Sequence, residues 1–402
     1  MNPFQSLSNI QNIYKSYVYT FQKVKNPVIK GWINEKLSEG GLLWKEPYIQ
    51  LNRKFERGAS LESLVESEIL HKQVLNIFTK RENNKLIESP IIPYKHQSDA
   101  ISSILNNSNT IITSGTSSGK SFCFGIPIVS ECLKMKEQGI KGVKAVIVYP
   151  MNALANSQYE DFAERLEGSG LKIALYTGDT QNNREQAIEV LKASVGREPF
   201  DSEIISREEI HNNPPDILMT NYVMLDLIIT RFEDQKIFPE SHKGVLKFLV
   251  LDEIHTYSGK KGADVACLIR RIKELTESFD KLRCIGTSAT VQSYGNEHSS
   301  ELVAKFATHI FGEKFNPLDI VEESHIKPVY IPNLPLPEKI LITKDLIREF
   351  DGSLQSAIRI SSVLLNQDIQ VNNFKQLGNI LSQQTTIQFL QKKIIFNFLF
   401  II

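Results

Sequence analysis

Runs of β-branched and aliphatic residues recur through the middle of the chain: TIIT at 110–113, AVIVY at 145–149, IALY at 173–176, DILM at 216–219, FLVL at 248–251 and CIG at 284–286. They do not alternate with polar residues. A run that is apolar on both faces suits a parallel strand covered on both sides. Stretches with helical spacing follow several of them, opening at Phe122, after Pro150, and at Ala187, Ile188 and Leu191. Strand and helix in alternation predict an α/β fold, a parallel sheet flanked by helices. Five of the runs end in small polar or charged groups: Pro150 and Asn152, Thr177-Gly178-Asp179, Thr220-Asn221, Asp252-Glu253-Ile254-His255, and Thr287-Ser288-Ala289-Thr290. Ligands of such sheets sit beyond the carboxyl ends of the strands. The polar stretch 196–215 reads as a loop.

The flanks carry less. Residues 1–86 are rich in aromatics and read as an N-terminal helical accessory region. Within it, 60–78 has the spacing of an amphipathic helix with Ser60 as N-cap. Lysines interleave with aromatics from Lys15 to Lys30; a helical docking surface and a nucleic-acid surface both fit that pattern. Residues 87–315 form the α/β domain. Residues 316–402 read as a linker (317–338, rich in proline) and a mostly helical tail (346–381).

Charge is balanced, with 46 Lys+Arg against 46 Asp+Glu. Any nucleic-acid binding must therefore come from a local groove and not from a global field. The four cysteines lack paired CxxC spacing, so reduced core thiols are expected and a zinc site is not. The start shows no basic and apolar leader, and no run approaches the ~20 apolar residues of a membrane helix. A cytoplasmic protein with no membrane partner is expected.

The sharpest chemistry lies at 114–121, Ser-Gly-Thr-Ser-Ser-Gly-Lys-Ser, between a strand and a helix. Backbone N–H groups of such a loop and of the helix N-terminus cradle phosphates. Gly115, Thr116, Ser117, Ser118 and Gly119 form the cradle, Lys120 supplies a charge for the β- and γ-phosphates, and Ser121 offers a hard oxygen to Mg²⁺. The strict pattern has Gly in the first position, where this chain has Ser114. Upstream, Gln97 has a planar amide able to read an adenine edge, and Tyr94 a ring able to stack on it. Asp252 would hold Mg²⁺ and Glu253 would orient and polarise the attacking water. A small-molecule kinase shares this kind of cradle, but the Asp252–His255 and Ser288–Thr290 placements and the lack of a substrate lid speak against it.

Taken together these motifs resemble the first motor domain of superfamily 2 DEAD/DEAH-type helicases, over about 88–312. Residues 94–97 are similar to the adenine-reading Q element, 114–121 to motif I, 150–158 to motif Ia, 177–179 to motif Ib, 252–255 to motif II and 288–290 to motif III. The stretch Leu251–Gly259 with 262–266 and Arg270-Arg271 looks most like the bacterial branch of mitomycin repair and phage-defence helicases. The resemblance implies a RecA-like domain that binds ATP and Mg²⁺. It implies coupling of hydrolysis to movement through His255, Ser288 and Thr290. Pro150, Asn152, Thr177, Gly178, Thr220 and Asn221 would touch one nucleic-acid strand, DNA in this branch.

The departure lies at the far end. No second series of parallel strands follows Thr290, so the arginine finger and the other half of the clamp are expected from a partner, a second chain or a continuation. The apolar stretch 394–402 has two open readings, a segment buried against a missing domain or out-of-frame translation after a gene disruption. The expected function is the ATP-binding half of a nucleic-acid-dependent ATPase or helicase. The alternative is a nucleotide-dependent nucleic-acid-binding module without productive hydrolysis.

Overall fold

The computed structural model describes residues 3–21, 24–38, 43, 54–82, 85–115, 118–279, 281–289, 299–326, 353–365, 368–373, 376–377 and 380–381. The chain divides into two units, Arg53–Ile326, and Met1–Asn52 with Lys327–Ile402. In the latter, the described elements are α1 (Pro3–Phe21), α2 (Pro27–Ser38) and a helix over Leu354–Leu365. Trp44, Tyr48 and the stretches 327–338 and 394–402 lie outside the described residues.

The unit Arg53–Ile326 runs through α3 (Leu61–Glu66), α4 (Val74–Ile77), β1 (Thr79–Glu82), β2 (Lys85–Pro90), α5 (Lys95–Leu105), β3 (Thr110–Thr113), α6 (Lys120–Glu137), β4 (Ala145–Tyr149) and α7 (Asn152–Leu166). It continues with β5 (Ile173–Tyr176), α8 (Arg184–Val195), β6 (Glu203–Ile204), α9 (Arg207–Asn212), β7 (Ile217–Asn221) and α10 (Tyr222–Thr230). Then come β8 (Phe248–Leu251), α11 (Gly259–Leu275), β9 (Arg283–Ser288), α12 (Ser299–Phe311) and β10 (Ile320–Glu322). Apart from the β1–β2 hairpin, the strands form one sheet in the order β10-β3-β9-β8-β4-β7-β5-β6. Every pairing in it is parallel.

The unbroken apolar runs explain the layering. In β4, Ala145, Ile147 and Tyr149 pack into one core with α3 to α7, while Val146 and Val148 pack into the other with α9 to α12. Both faces are buried, so both side-chain registers must be apolar. This is the expected RecA-like α/β architecture. Register then sets the site. Thr113 stands beside Ser288, Val148 beside Leu251, Tyr149 beside Asn221 and Tyr176 beside Thr220. The strands finish level, and the loops that follow them meet along one edge.

Four sequence expectations differ from the structure. The unit is wider than 87–315, because it begins at Arg53, α3 and α4 are packed on its core and β10 adds an edge strand. The helix expected over 60–78 is two short ones. Ser60 does cap α3, its side chain accepting from Ser63 N, but Glu68 at φ 58° turns the chain out of helix. The loop expected over 196–215 holds β6 and α9, the latter opened by a capping box of Ser206 and Glu209. The stretch expected as a proline-rich linker opens with a 3-10 turn at Pro317–Asp319 followed by β10, paired through Ile320 to Ile111.

Candidate nucleotide and nucleic-acid site

The phosphate loop leaves β3 at Thr113 and is fixed at its root, where Ser114 N donates to Ser288 O at 3.2 Å. The Ser114 and Ser118 hydroxyls lie 2.7 Å apart and close the loop upon itself. Thr116 and Ser117 fall outside the described residues. Gly119 caps α6 at φ 75°, a left-handed conformation that glycine adopts without strain. A Cβ there would come within 2.5 Å of Gln97 Nε2, so the missing side chain is what lets the Gln97 amide approach the loop.

Gln97 explains that approach. Its Nε2 donates to Ser118 O at 3.2 Å and Gly119 O at 3.1 Å, and its Oε1 accepts from Tyr94 N at 2.9 Å. The amide expected to read a base edge is spent here on shaping the loop. His96 Nε2 lies 3.2 Å from Ser118 O, and burial lowers its pKa below the ordinary histidine value. Tyr94 sits in an aromatic cluster, 5.0 Å from Phe55, with the Arg57 guanidinium 4.7 Å above its ring.

Lys120 opens α6, and its Nζ lies 2.8 Å from Glu253 Oε1. Ser121 Oγ donates to Gln158 Oε1, which leaves its lone pairs for a cation. Asp252 and Glu253 follow β8 directly. Asp252 is only 7% exposed, and burial, foremost, raises its pKa above the usual aspartate value. Thr287 organises the pair: its hydroxyl donates to Asp252 Oδ1 and accepts from Glu253 N at 3.0 Å. Glu253 adopts φ 50°, ψ 55°, a conformation that costs a non-glycine residue of order 1–3 kcal/mol. His255 Nδ1 lies 3.1 Å from Ser288 Oγ and 3.3 Å from Glu253 Oε2, so the acidic pair is tied to the end of β9. Thr290 falls outside the described residues.

The residues present fit a nucleotide with Mg²⁺. The loop and the start of α6 offer N–H groups, Lys120 a cation, and Asp252 and Ser121 hard oxygens. Mg²⁺ usually takes one or two protein oxygens and leaves the rest to water and phosphate. The described residues contain no group of three or more His, Cys, Asp or Glu able to hold a metal by themselves.

The second set lies farther along the same edge. Pro150 follows β4 and Asn152 opens α7. Asn221 Nδ2 donates to Asn152 Oδ1 at 2.8 Å, while Asn221 Oδ1 caps α10 by accepting from Met224 N. Thr220 Oγ1 donates to Tyr176 O at 2.7 Å. Thr177 is buried and Gly178 exposed. Arg207, which sequence reasoning passed over inside its supposed loop, donates to Thr177 O and Thr180 O and so holds the 177–180 turn. Thr287, Gln158 and His96 were also passed over. Gln158 and His96 lie within the stretches 150–158 and 94–97, and Thr287 is next to Ser288, so adjacency was the available signal.

With that geometry in hand, sequence comparison decides the family. The DEAD/DEAH box helicase profile matches residues 94–297. The chain belongs to that family. The match spans α5 to the end of β9, the elements that build this edge. The chain is 28% identical over 353 residues to "Druantia protein DruE" of Escherichia coli (strain UMEA 4076-1), covering 64% of this chain and 19% of the relative. It is 28% identical over 218 residues to "Uncharacterized ATP-dependent helicase MJ1574" of Methanocaldococcus jannaschii, covering 54% and 28%. It is 30% identical over 206 residues to "ATP-dependent helicase hrq1" of Schizosaccharomyces pombe, covering 50% and 16%. The chain thus spans less than a third of the length of these relatives. Among solved structures, the DUF1998 helicase MrfA bound to DNA and AMPPNP aligns with a TM-score of 0.47 at 19% identity, covering 90% of this chain and 43% of that one.

Proposed function

We propose that the unit Arg53–Ile326 is the ATP-binding half of a nucleic-acid-dependent ATPase or helicase, with DNA as the strand. The observation that carries this reading is the contact of Lys120 Nζ with Glu253 Oε1 at 2.8 Å, beside an Asp252 held by Thr287. The phosphate-binding cation and the water-orienting carboxylate stand in one site. With nucleotide bound, Lys120 would serve the β- and γ-phosphates, Ser121 and Asp252 would hold Mg²⁺, which would supply charge neutralisation, and the Glu253 carboxylate would orient the attacking water. The strand would lie along Pro150, Asn152, Thr177, Gly178, Thr220 and Asn221. Resemblance to the repair and phage-defence branch favours DNA over RNA. The other half of the clamp, with an arginine finger that is worth on the order of 10³–10⁵ in rate in related sites, would come from a continuation or a partner chain.

The test is ATP hydrolysis by the purified chain, with and without single-stranded DNA, beside Lys120→Ala. Turnover or tight nucleotide binding that Lys120→Ala abolishes is the expected result. Nucleotide handling that survives this substitution would place the site elsewhere.

A further inference from the structure

Glu323 lies just beyond β10, outside every motif considered above. Its Oε2 accepts from Gly115 N at 2.8 Å, the second residue of the phosphate loop. Its Oε1 lies 3.1 Å from His325 Nε2. The His325 ring stacks on Phe55, 5.0 Å between centroids at 20°. The backbone around them is zipped: Glu56 N donates to Ser324 O at 2.8 Å, and Ile326 N to Lys54 O at 2.9 Å. The segments by which the chain enters and leaves the unit are therefore paired with each other, and one carboxylate joins that pair to the loop.

We propose that Glu323 is a positioning residue for the phosphate loop, setting its conformation for nucleotide from the pair of segments at the boundary of the unit. This rests on the nucleotide-site reading above. Its physical basis is the place of Gly115. That residue stands at the root of the loop, next to Ser114, which is bonded to the end of β9. The phosphate-facing amides belong to the far end, at Gly119 and the start of α6. A carboxylate at the root fixes the loop's exit from β3 and leaves the anion site open. Gln97 and His96 hold the opposite end through Ser118 and Gly119. The loop is thus clamped on both sides, and only the Glu323 side reports on where the chain goes next.

The test compares Glu323→Met, which keeps length and loses the acceptor, with Glu323→Gln, whose amide oxygen still accepts. Hydrogen exchange of peptides spanning β3 and the loop, measured without nucleotide, should accelerate about tenfold at the most protected loop amide in Glu323→Met and stay within about twofold in Glu323→Gln. Affinity for a fluorescent ATP analogue should fall about tenfold and about twofold, respectively. Unchanged exchange in Glu323→Met overturns the proposal. So does tighter nucleotide binding, which would make the carboxylate a competitor of phosphate. Glu323→Ala gives the same reading should the Met variant not fold. A parental chain that binds no nucleotide sinks the function reading alone, because the exchange experiment still judges Glu323.

Discussion

Two stretches of the same sheet edge solve different problems. Beyond β3, β8 and β9 the polar side chains bond chiefly to each other: Lys120 to Glu253, Thr287 to Asp252, His255 to Ser288. Beyond β4, β5 and β7 they bond mostly to backbone: Thr220 to Tyr176 O, Asn221 to Met224 N, Arg207 to Thr177 O. The first arrangement stores charge and strain, with a buried Asp252 and a left-handed Glu253. The second stores shape. Hydrolysis needs charge placed where charge develops. A strand bound without regard to sequence needs a contour that presents N–H and hydroxyl groups to phosphates.

Removing one charge from the first stretch while leaving its size intact sharpens that contrast most. Glu253→Gln should lower ATP hydrolysis by about 10²–10⁴, the usual worth of a positioned base, with nucleotide and DNA affinities close to parental. Single-turnover hydrolysis beside equilibrium binding checks it. Parental turnover in this variant would break the comparison, since the acidic stretch would then be structural like its neighbour.

Burial of Asp252 gives an effect of intermediate size, read as pH dependence. Its folded-state pKa is raised, chiefly by burial. Stabilisation from that carboxyl is therefore fully present below the ordinary value of about 3.9 and is lost as pH rises through the folded value. At neutral pH the ionised group is a cost. Asp252→Asn keeps an oxygen for the Thr287 hydroxyl and should raise the thermal midpoint at pH 7, by about 2–4 °C for each kcal/mol relieved. The gain should shrink as pH falls through the folded pKa. A midpoint difference that is flat from pH 4 to 8 would show that the charge of Asp252 is not what burial opposes.

The two stretches also differ in how far the sequence reveals them. The bounds of β3, β4, β5 and β8 coincide with the apolar runs, because a strand buried on both faces leaves no polar position to blur its ends. Lys120, Asp252 and Glu253 were legible because their chemistry is scarce, the lysine opening a helix after a Gly/Ser loop and the carboxylates following a strand. α9 was not read, although its Ser206 and Glu209 capping box was there to be seen; the surrounding polarity masked it. β10 was hidden by neighbouring prolines, and it is held by pairing to β3, some two hundred residues earlier. The roles of Gln97 and Thr287 and the contact of Glu323 depend on partners brought close only by the fold. Local pattern carries no trace of such partners.

The smallest effect belongs to the second stretch. Asn221 caps α10 and reaches Asn152, so Asn221→Ala removes one cap and one link between the loops beyond β4 and β7. The cap alone is worth about 1 kcal/mol. The thermal midpoint should fall by about 2–4 °C, and DNA affinity by a few-fold at fixed salt, with ATP affinity unchanged. Asn221→Ser separates the two contributions. Serine still caps the helix but is too short to span to Asn152, so stability should return while DNA affinity stays low. If Ser restores both, the contour is set by the helix start alone and the Asn152 link is incidental. If neither variant moves DNA affinity, the strand does not run along this stretch, and the division between charge and shape along the edge fails on the side of shape.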